Sequence, residues 1–250
     1  MVSNKNILIA QGGGPTNVIN QSLVGIIQQE KKYKSKIFGS VNGVNGIINN
    51  RFISLNKFSE NDLKIIANTP GAALGSTRDK PDGEYCKEIL KILQNKKIAK
   101  FYYIGGNDSS DSLRIISEYA DDIKYKLQCI HIPKTIDNDL VCNDHTPGFG
   151  SAAKYVAQLF SGINYDVKSL PGVYLGIVMG RHAGFLTASS ALLKRNNDDG
   201  PNLIFIPESP FEMNIFLNQI KNVFNKYGRC VIAISEGIQD KHKRLISQKI

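Results

Sequence analysis

The chain has 250 residues, 42% of them hydrophobic, which is enough to bury a sizeable core as one large domain or two small lobes. Its formal net charge of +9 points to anionic partners. Lys and Arg are spread along the whole length, with no segment that interleaves basic and aromatic residues as a nucleic-acid module does, so phosphorylated small molecules fit better than nucleic acid.

In chain order, Met1 to Ala10 enters a short strand, Ile7 to Ala10, without the charged start and long apolar stretch of a leader. Gln11-Gly12-Gly13-Gly14-Pro15-Thr16-Asn17 links that strand to a helix over Val18 to Glu30. Glycines without Cβ atoms let backbone N–H groups approach an anion, and the helix N-terminus adds its positive end. The spacing is neither GxGxxG nor GxxxxGK[ST], which disfavours an ordinary dinucleotide fold or a Walker NTPase; a tight turn without ligand is the alternative. Ile37 to Val41 reads as a strand, Gly75-Ser76-Thr77-Arg78 as a loop with a candidate phosphate-binding arginine, and Glu84 to Gln94 as a helix.

The strand Phe101 to Ile104 leads through Gly105-Gly106-Asn107-Asp108-Ser109-Ser110 into a helix over Ser110 to Tyr119. Asn107 and Asp108 offer oxygens for a hydrated magnesium ion, and either serine suits a helix cap. The apolar strand Leu127 to Ile132 ends in Pro133-Lys134-Thr135-Ile136-Asp137-Asn138-Asp139. Ligands collect at the carboxyl ends of strands in open α/β sheets. Asp137 is therefore the candidate general base, and Lys134 the candidate positive charge for a transferring phosphoryl group; a solvated, Asx-rich turn is the alternative.

His145 to Gly150 breaks regular structure before a helix over Ser151 to Ile163. The strand Val173 to Val178 runs into Met179-Gly180-Arg181-His182, helices follow over Ala183 to Leu193 and Phe211 to Tyr227, and strands over Leu203 to Ile206 and Cys230 to Ile234. Glu236 follows the last of these as a possible acceptor for sugar hydroxyls. The alternation implies a largely parallel α/β fold with the chemistry on loops at strand ends. The four cysteines, Cys86, Cys129, Cys142 and Cys230, form no CxxC pair, so neither zinc nor a disulfide framework is indicated and a reducing compartment follows. With no apolar run near the roughly 20 residues of a membrane span, a cytoplasmic location is expected.

In this order, GGGPTN, GSTR, GGNDS, PKTIDND, MGRHAG and SEG resemble the phosphofructokinase family across nearly the whole chain, with PKTIDND and MGR the specific pairing. The resemblance implies two Rossmann-like lobes with mainly parallel sheets, 1–148 for the phosphoryl donor and 149–250 for fructose 6-phosphate. It implies that Gly13 and Arg78 approach donor phosphate and that Asp137 takes the proton of the sugar 1-hydroxyl. Thr135, Ile136, Asp137, Met179, Gly180, Arg181 and Glu236 would line the substrate. ATP-using members typically have glycine where this chain has Asp108 and Lys134. A carboxylate at 108 repels the α-phosphate of ATP, and the Lys134 ammonium stabilises a pyrophosphate leaving group. The resemblance is thus to the pyrophosphate-dependent type, with the ATP-dependent type and a non-catalytic ligand-binding fragment as alternatives.

Magnesium is the implied cofactor. Asn107 stands where many members have a magnesium-binding aspartate, so the metal would lean on phosphate oxygens and water. A homo-oligomer, dimer or tetramer, is implied, with no nucleic-acid or membrane partner. The chain ends shortly after SEG, before the glycine, arginine and histidine elements with which the family completes its sugar-phosphate pocket, so the expectation is a fragment or a truncated product with little activity of its own.

Overall fold

The computed structural model describes residues 6–246, and the chain divides into two compact units between Thr135 and Ile136. The resemblance implies a change of lobe at 148/149; the compact units change earlier, within the PKTIDND loop.

The first unit is a five-stranded sheet in the order β3-β2-β1-β4-β5. Its strands are β1 (Asn6–Gln11), β2 (Lys36–Ser40), β3 (Phe52–Ser54), β4 (Ile98–Gly105) and β5 (Gln128–Pro133). All neighbours pair in parallel except β2 and β3, which are antiparallel. Alternation along β1 builds two cores, because successive side chains of a strand point to opposite faces. Leu8 and Ala10 join Phe101 and Tyr103 beneath α2 (Gly43–Ile48), α4 (Gly83–Asn95) and α5 (Asn107–Asp122). Ile7 and Ile9 join Ile37 and Ile104 beneath α1 (Ile19–Lys31) and α3 (Glu60–Asn68).

Three elements of this unit are not predicted by the sequence pattern: α2, β3 and α3. The last carries a legible signal, a capping box in which Ser59 Oγ accepts from the Asp62 amide and Asp62 accepts from the Ser59 amide. The other two have six and three residues, too short for periodicity to register.

The second unit has a parallel three-stranded sheet, β6 (Val173–Val178), β8 (Cys230–Ser235) and β7 (Leu203–Phe205), with β8 central. Val231 and Ala233 pack with α6 (Phe149–Ser169), while Cys230, Ile232 and Ile234 pack with Phe211 and with Phe216 of α8 (Met213–Tyr227). The helix expected over Ala183 to Leu193 is instead α7 (Phe185–Ala188) followed by a 3₁₀ turn, Ser189–Ala191. Ser189 Oγ and Ser190 Oγ donate to the carbonyls of Leu186 and Thr187, competing with a continuous helical ladder. No helix among the described residues is long and apolar enough to cross a membrane.

Candidate functional site

In the first unit, three loops at carboxyl ends of strands are stitched together. After β1, Gly13 takes φ +73, a left-handed conformation that glycine adopts without strain. Its amide donates to Thr77 O at 3.0 Å. Its carbonyl accepts from Ser76 Oγ at 2.6 Å. The expected phosphate contact at Gly13 therefore does not rest on a free amide: this N–H already serves to dock the 75–80 loop. Within that loop the Asp79 carboxylate accepts from Asn45 Nδ2 and Tyr85 OH, at 3.1 and 2.8 Å. Burial opposes its charge, yet hydrogen bonds from Tyr85, Thr77 and Asn45 hold its pKa below the ordinary value. Arg78 beside it is exposed.

The second loop opens α5. Gly106 is the N-cap, so Asn107 and Asp108 occupy the first turn, where a carboxylate is favoured by the positive end of the helix. Both are exposed, and Asp108 Oδ1 lies 3.1 Å from Lys80 Nζ. The carbonyl of Gly105 accepts from the Lys134 amide at 2.8 Å, and His131 Nε2 lies 2.9 Å from it. Burial pushes the His131 pKa down, against the opposing backbone bonds, so its ring is neutral near pH 7.

Lys134 belongs to the third loop and is only 4% exposed. Its Nζ donates to Gly14 O at 3.0 Å and to Thr16 Oγ1. A cation is thus held under the glycine-rich turn with Gly14 O and Thr16 Oγ1 among its partners, a part for Thr16 that no motif spacing predicts. Gly13, Arg78, Asp108, Asn107, Lys134 and Thr135 all belong to this unit.

In the second unit, Ile136 packs against the core formed by α6 and β8, which anchors the backbone on one side of the half-buried Asp137. On the other side, Asn138 is buried with φ +58. Its Nδ2 donates to Asp144 O at 3.0 Å, and its Oδ1 accepts from the Thr146 amide at 2.8 Å, clipping the 138–146 loop. The Asx content that sequence alone read as a possible solvated turn is, at this position, an internal clip.

Parallel pairing of β6 with β8 sets Val178 opposite Ser235, so Met179-Gly180-Arg181 and Ser235-Glu236-Gly237 leave the sheet side by side. Ser235 Oγ donates to Gly180 O at 2.6 Å, and the Gly180 amide donates to Glu236 Oε1 at 3.3 Å. A Cβ at Gly237 would collide with the Arg181 carbonyl, so only glycine allows this approach. Met179, Arg181 and Glu236 are all exposed at this edge. Of the expected residues, this unit holds Ile136, Asp137, Met179, Gly180, Arg181 and Glu236.

Among the described residues no three His, Cys, Asp or Glu side chains gather as a metal-ligand group. Comparison with known proteins gives a consistent result. The phosphofructokinase family model matches residues 6–250. The chain is 55% identical over 246 residues to a pyrophosphate–fructose 6-phosphate 1-phosphotransferase of Rhodospirillum rubrum, covering 98% of this chain and 61% of that protein. It is 38% identical over 255 residues to a protein of the same name from Xanthomonas campestris, covering 98% of this chain and 61% of that one. A crystal structure of a pyrophosphate-dependent phosphofructokinase from Marinobacter aquaeolei superposes with a TM-score of 0.86 at 36% identity, over 95% of this chain and 62% of that one. The chain thus spans about three fifths of the length of these relatives.

Proposed function

The chain belongs to the phosphofructokinase family, and on that premise we propose that it serves transfer of phosphoryl from pyrophosphate to the 1-hydroxyl of fructose 6-phosphate, reversibly. The observation that carries the choice of donor is the pair of charged residues in the first unit. Asp108 fills the anion-favouring first turn of α5, and Lys134 is buried against Gly14 O and Thr16. A carboxylate at that helix start obstructs a donor that extends beyond its second phosphate. A buried lysine beneath the glycine-rich turn offers charge to the phosphate that leaves, and it acts more strongly there than in water. The names of the relatives at 55 and 38% identity support the same reading.

Donor binding is assigned to the loops of Gly13, Arg78 and Asp108, and sugar-phosphate binding to Met179, Gly180, Arg181 and Glu236, with Thr135 and Ile136 flanking the acceptor. Asp137 accepts the proton of the sugar hydroxyl as that oxygen attacks phosphorus. Magnesium suits this residue set: the exposed Asn107 would offer it a side-chain oxygen, with water and phosphate oxygens supplying the remaining ligands. When bound, it neutralises charge on the phosphate oxygens. A cytoplasmic homo-oligomer, without nucleic-acid or membrane partners, completes the reading.

A donor comparison tests it. Full-length protein with fructose 6-phosphate is expected to form fructose 1,6-bisphosphate with pyrophosphate and to show little turnover with ATP. Equal or faster turnover with ATP would overturn the donor assignment.

A further inference from the structure

Asp108 creates a difficulty for the donor reading, on which this inference rests. A carboxylate that repels the α-phosphate of ATP also repels pyrophosphate, because both are polyanions subject to the same Coulomb interaction. The compensating charge is on the adjacent loop: Lys80 Nζ lies 3.1 Å from Asp108 Oδ1, with the two side chains 73% and 79% exposed. An ion pair that exposed contributes little to stability. Its consequence is local charge.

The segment that carries Lys80 is held from several directions. The Asp79 carboxylate is engaged by Asn45 and Tyr85, and the Asp79 amide donates to Thr77 Oγ1 at 3.1 Å. Ser76 and Thr77 are bonded to Gly13. With Asp79 tied to these partners, its neighbours Arg78 and Lys80 are both exposed. Two cations therefore flank a pinned carboxylate in the loop docked on the glycine-rich turn, and one of them meets Asp108.

We infer that Lys80 is a specificity-determining residue of the donor site, cancelling the charge of Asp108 toward pyrophosphate so that Asp108 discriminates by bulk. Pyrophosphate ends at its second phosphorus. ATP continues from there into a third phosphate and a nucleoside, and this extension is what the Asp108 side chain obstructs.

The test is equilibrium titration of full-length protein with magnesium pyrophosphate, read beside steady-state kinetics. Lys80→Met is expected to raise Kd and KM for pyrophosphate about fivefold, the effect of one uncompensated unit charge at close range in water. Its kcat and melting temperature should stay as in the wild type. Adding Asp108→Gly to Lys80→Met is expected to return Kd to within about twofold of wild type, because the charge to be compensated is gone. Lys126→Met, an exposed lysine elsewhere in the unit, controls for net charge and should change nothing. An unchanged Kd in Lys80→Met would overturn the inference. So would a double variant as weak as the single one, since Lys80 would then act on the donor alone. If wild-type protein binds pyrophosphate but turns over only with ATP, the donor reading fails while the Kd comparison still judges Lys80. Wild-type protein that does not bind pyrophosphate sinks both.

Discussion

Asp137, the proposed base, illustrates how much of a side chain's setting is supplied by its neighbours. Ile136 before it is packed in a core, and Asn138 after it clips a loop through two hydrogen bonds, so the carboxylate is held from both sides. Asp137→Asn keeps the shape and both neighbours but cannot take a proton. Turnover in the full-length enzyme is expected to fall by about 10² or more, the usual worth of a general base, with fructose 6-phosphate affinity nearly unchanged. Retention of more than about a tenth of the wild-type rate would remove Asp137 from that role. Lys134 is a different case: its bonds to Gly14 O and Thr16 make it a support of the glycine-rich turn as well as a charge near it.

At the scale of elements, the same logic appears away from the candidate site, in the turn that follows the 3₁₀ segment. Asp199 accepts from Lys168 Nζ at 2.6 Å, from Asn164 Nδ2 at 3.0 Å, and from the amides of Arg195 and Asn196 at 3.0 and 2.9 Å. One carboxylate thereby fastens the 195–199 turn to α6. The Lys168 bond, and then the two amides, hold its pKa well below the ordinary 3.8. The sign follows from linkage: a carboxyl whose folded pKa is depressed contributes stability above its unfolded pKa and loses it as pH falls toward the folded one. Asp199→Asn is expected to lower the melting temperature by about 4 °C near neutral pH. The gap to wild type should narrow below about pH 4, as the wild-type carboxylate loses its advantage. Thermal melts across that range decide it; a gap independent of pH would mean that charge at Asp199 does not matter.

For the whole molecule, the two units differ in how completely they cover themselves. Helices line both faces of the first sheet, and its exposed large apolar side chains are scattered at Tyr33, Ile65 and Ile123. In the second unit, β6 is an edge strand among the described residues, and Val173, Leu175, Ile177 and Met179 alternate onto one exposed face, Ile177 at 72%. A contiguous apolar strip beside an unpaired strand edge invites association. The 250-residue chain alone is expected to self-associate at micromolar concentration, and Ile177→Lys to shift it toward monomer. A side chain so exposed changes folding stability by no more than about 0.5 kcal/mol. Sedimentation velocity on both forms checks this, and identical profiles would show that the β6 face is not the surface involved.

Sequence alone determined the α/β class, every described strand of more than three residues and the loops that carry the candidate chemistry, because those depend on local signals: apolar runs such as Val173 to Val178, and glycines and carboxylates placed where strands end. It also exposed the pairing of PKTIDND with MGR on which the family resemblance turned. Tertiary structure decided what those loops do with their polar groups. That the Gly13 amide binds Thr77, that Ser235 and Glu236 hold Gly180, that Lys134 lies buried under Thr16, and that Asp108 meets Lys80 are contacts between residues far apart in the chain. No periodicity or spacing encodes them, because each depends on which strands the sheet makes neighbours and on which loop ends that order brings together. The two-versus-one split of the 183–193 segment has the same origin in reverse: its helical pattern was legible, but serine hydroxyls bonded to nearby carbonyls broke what periodicity predicted.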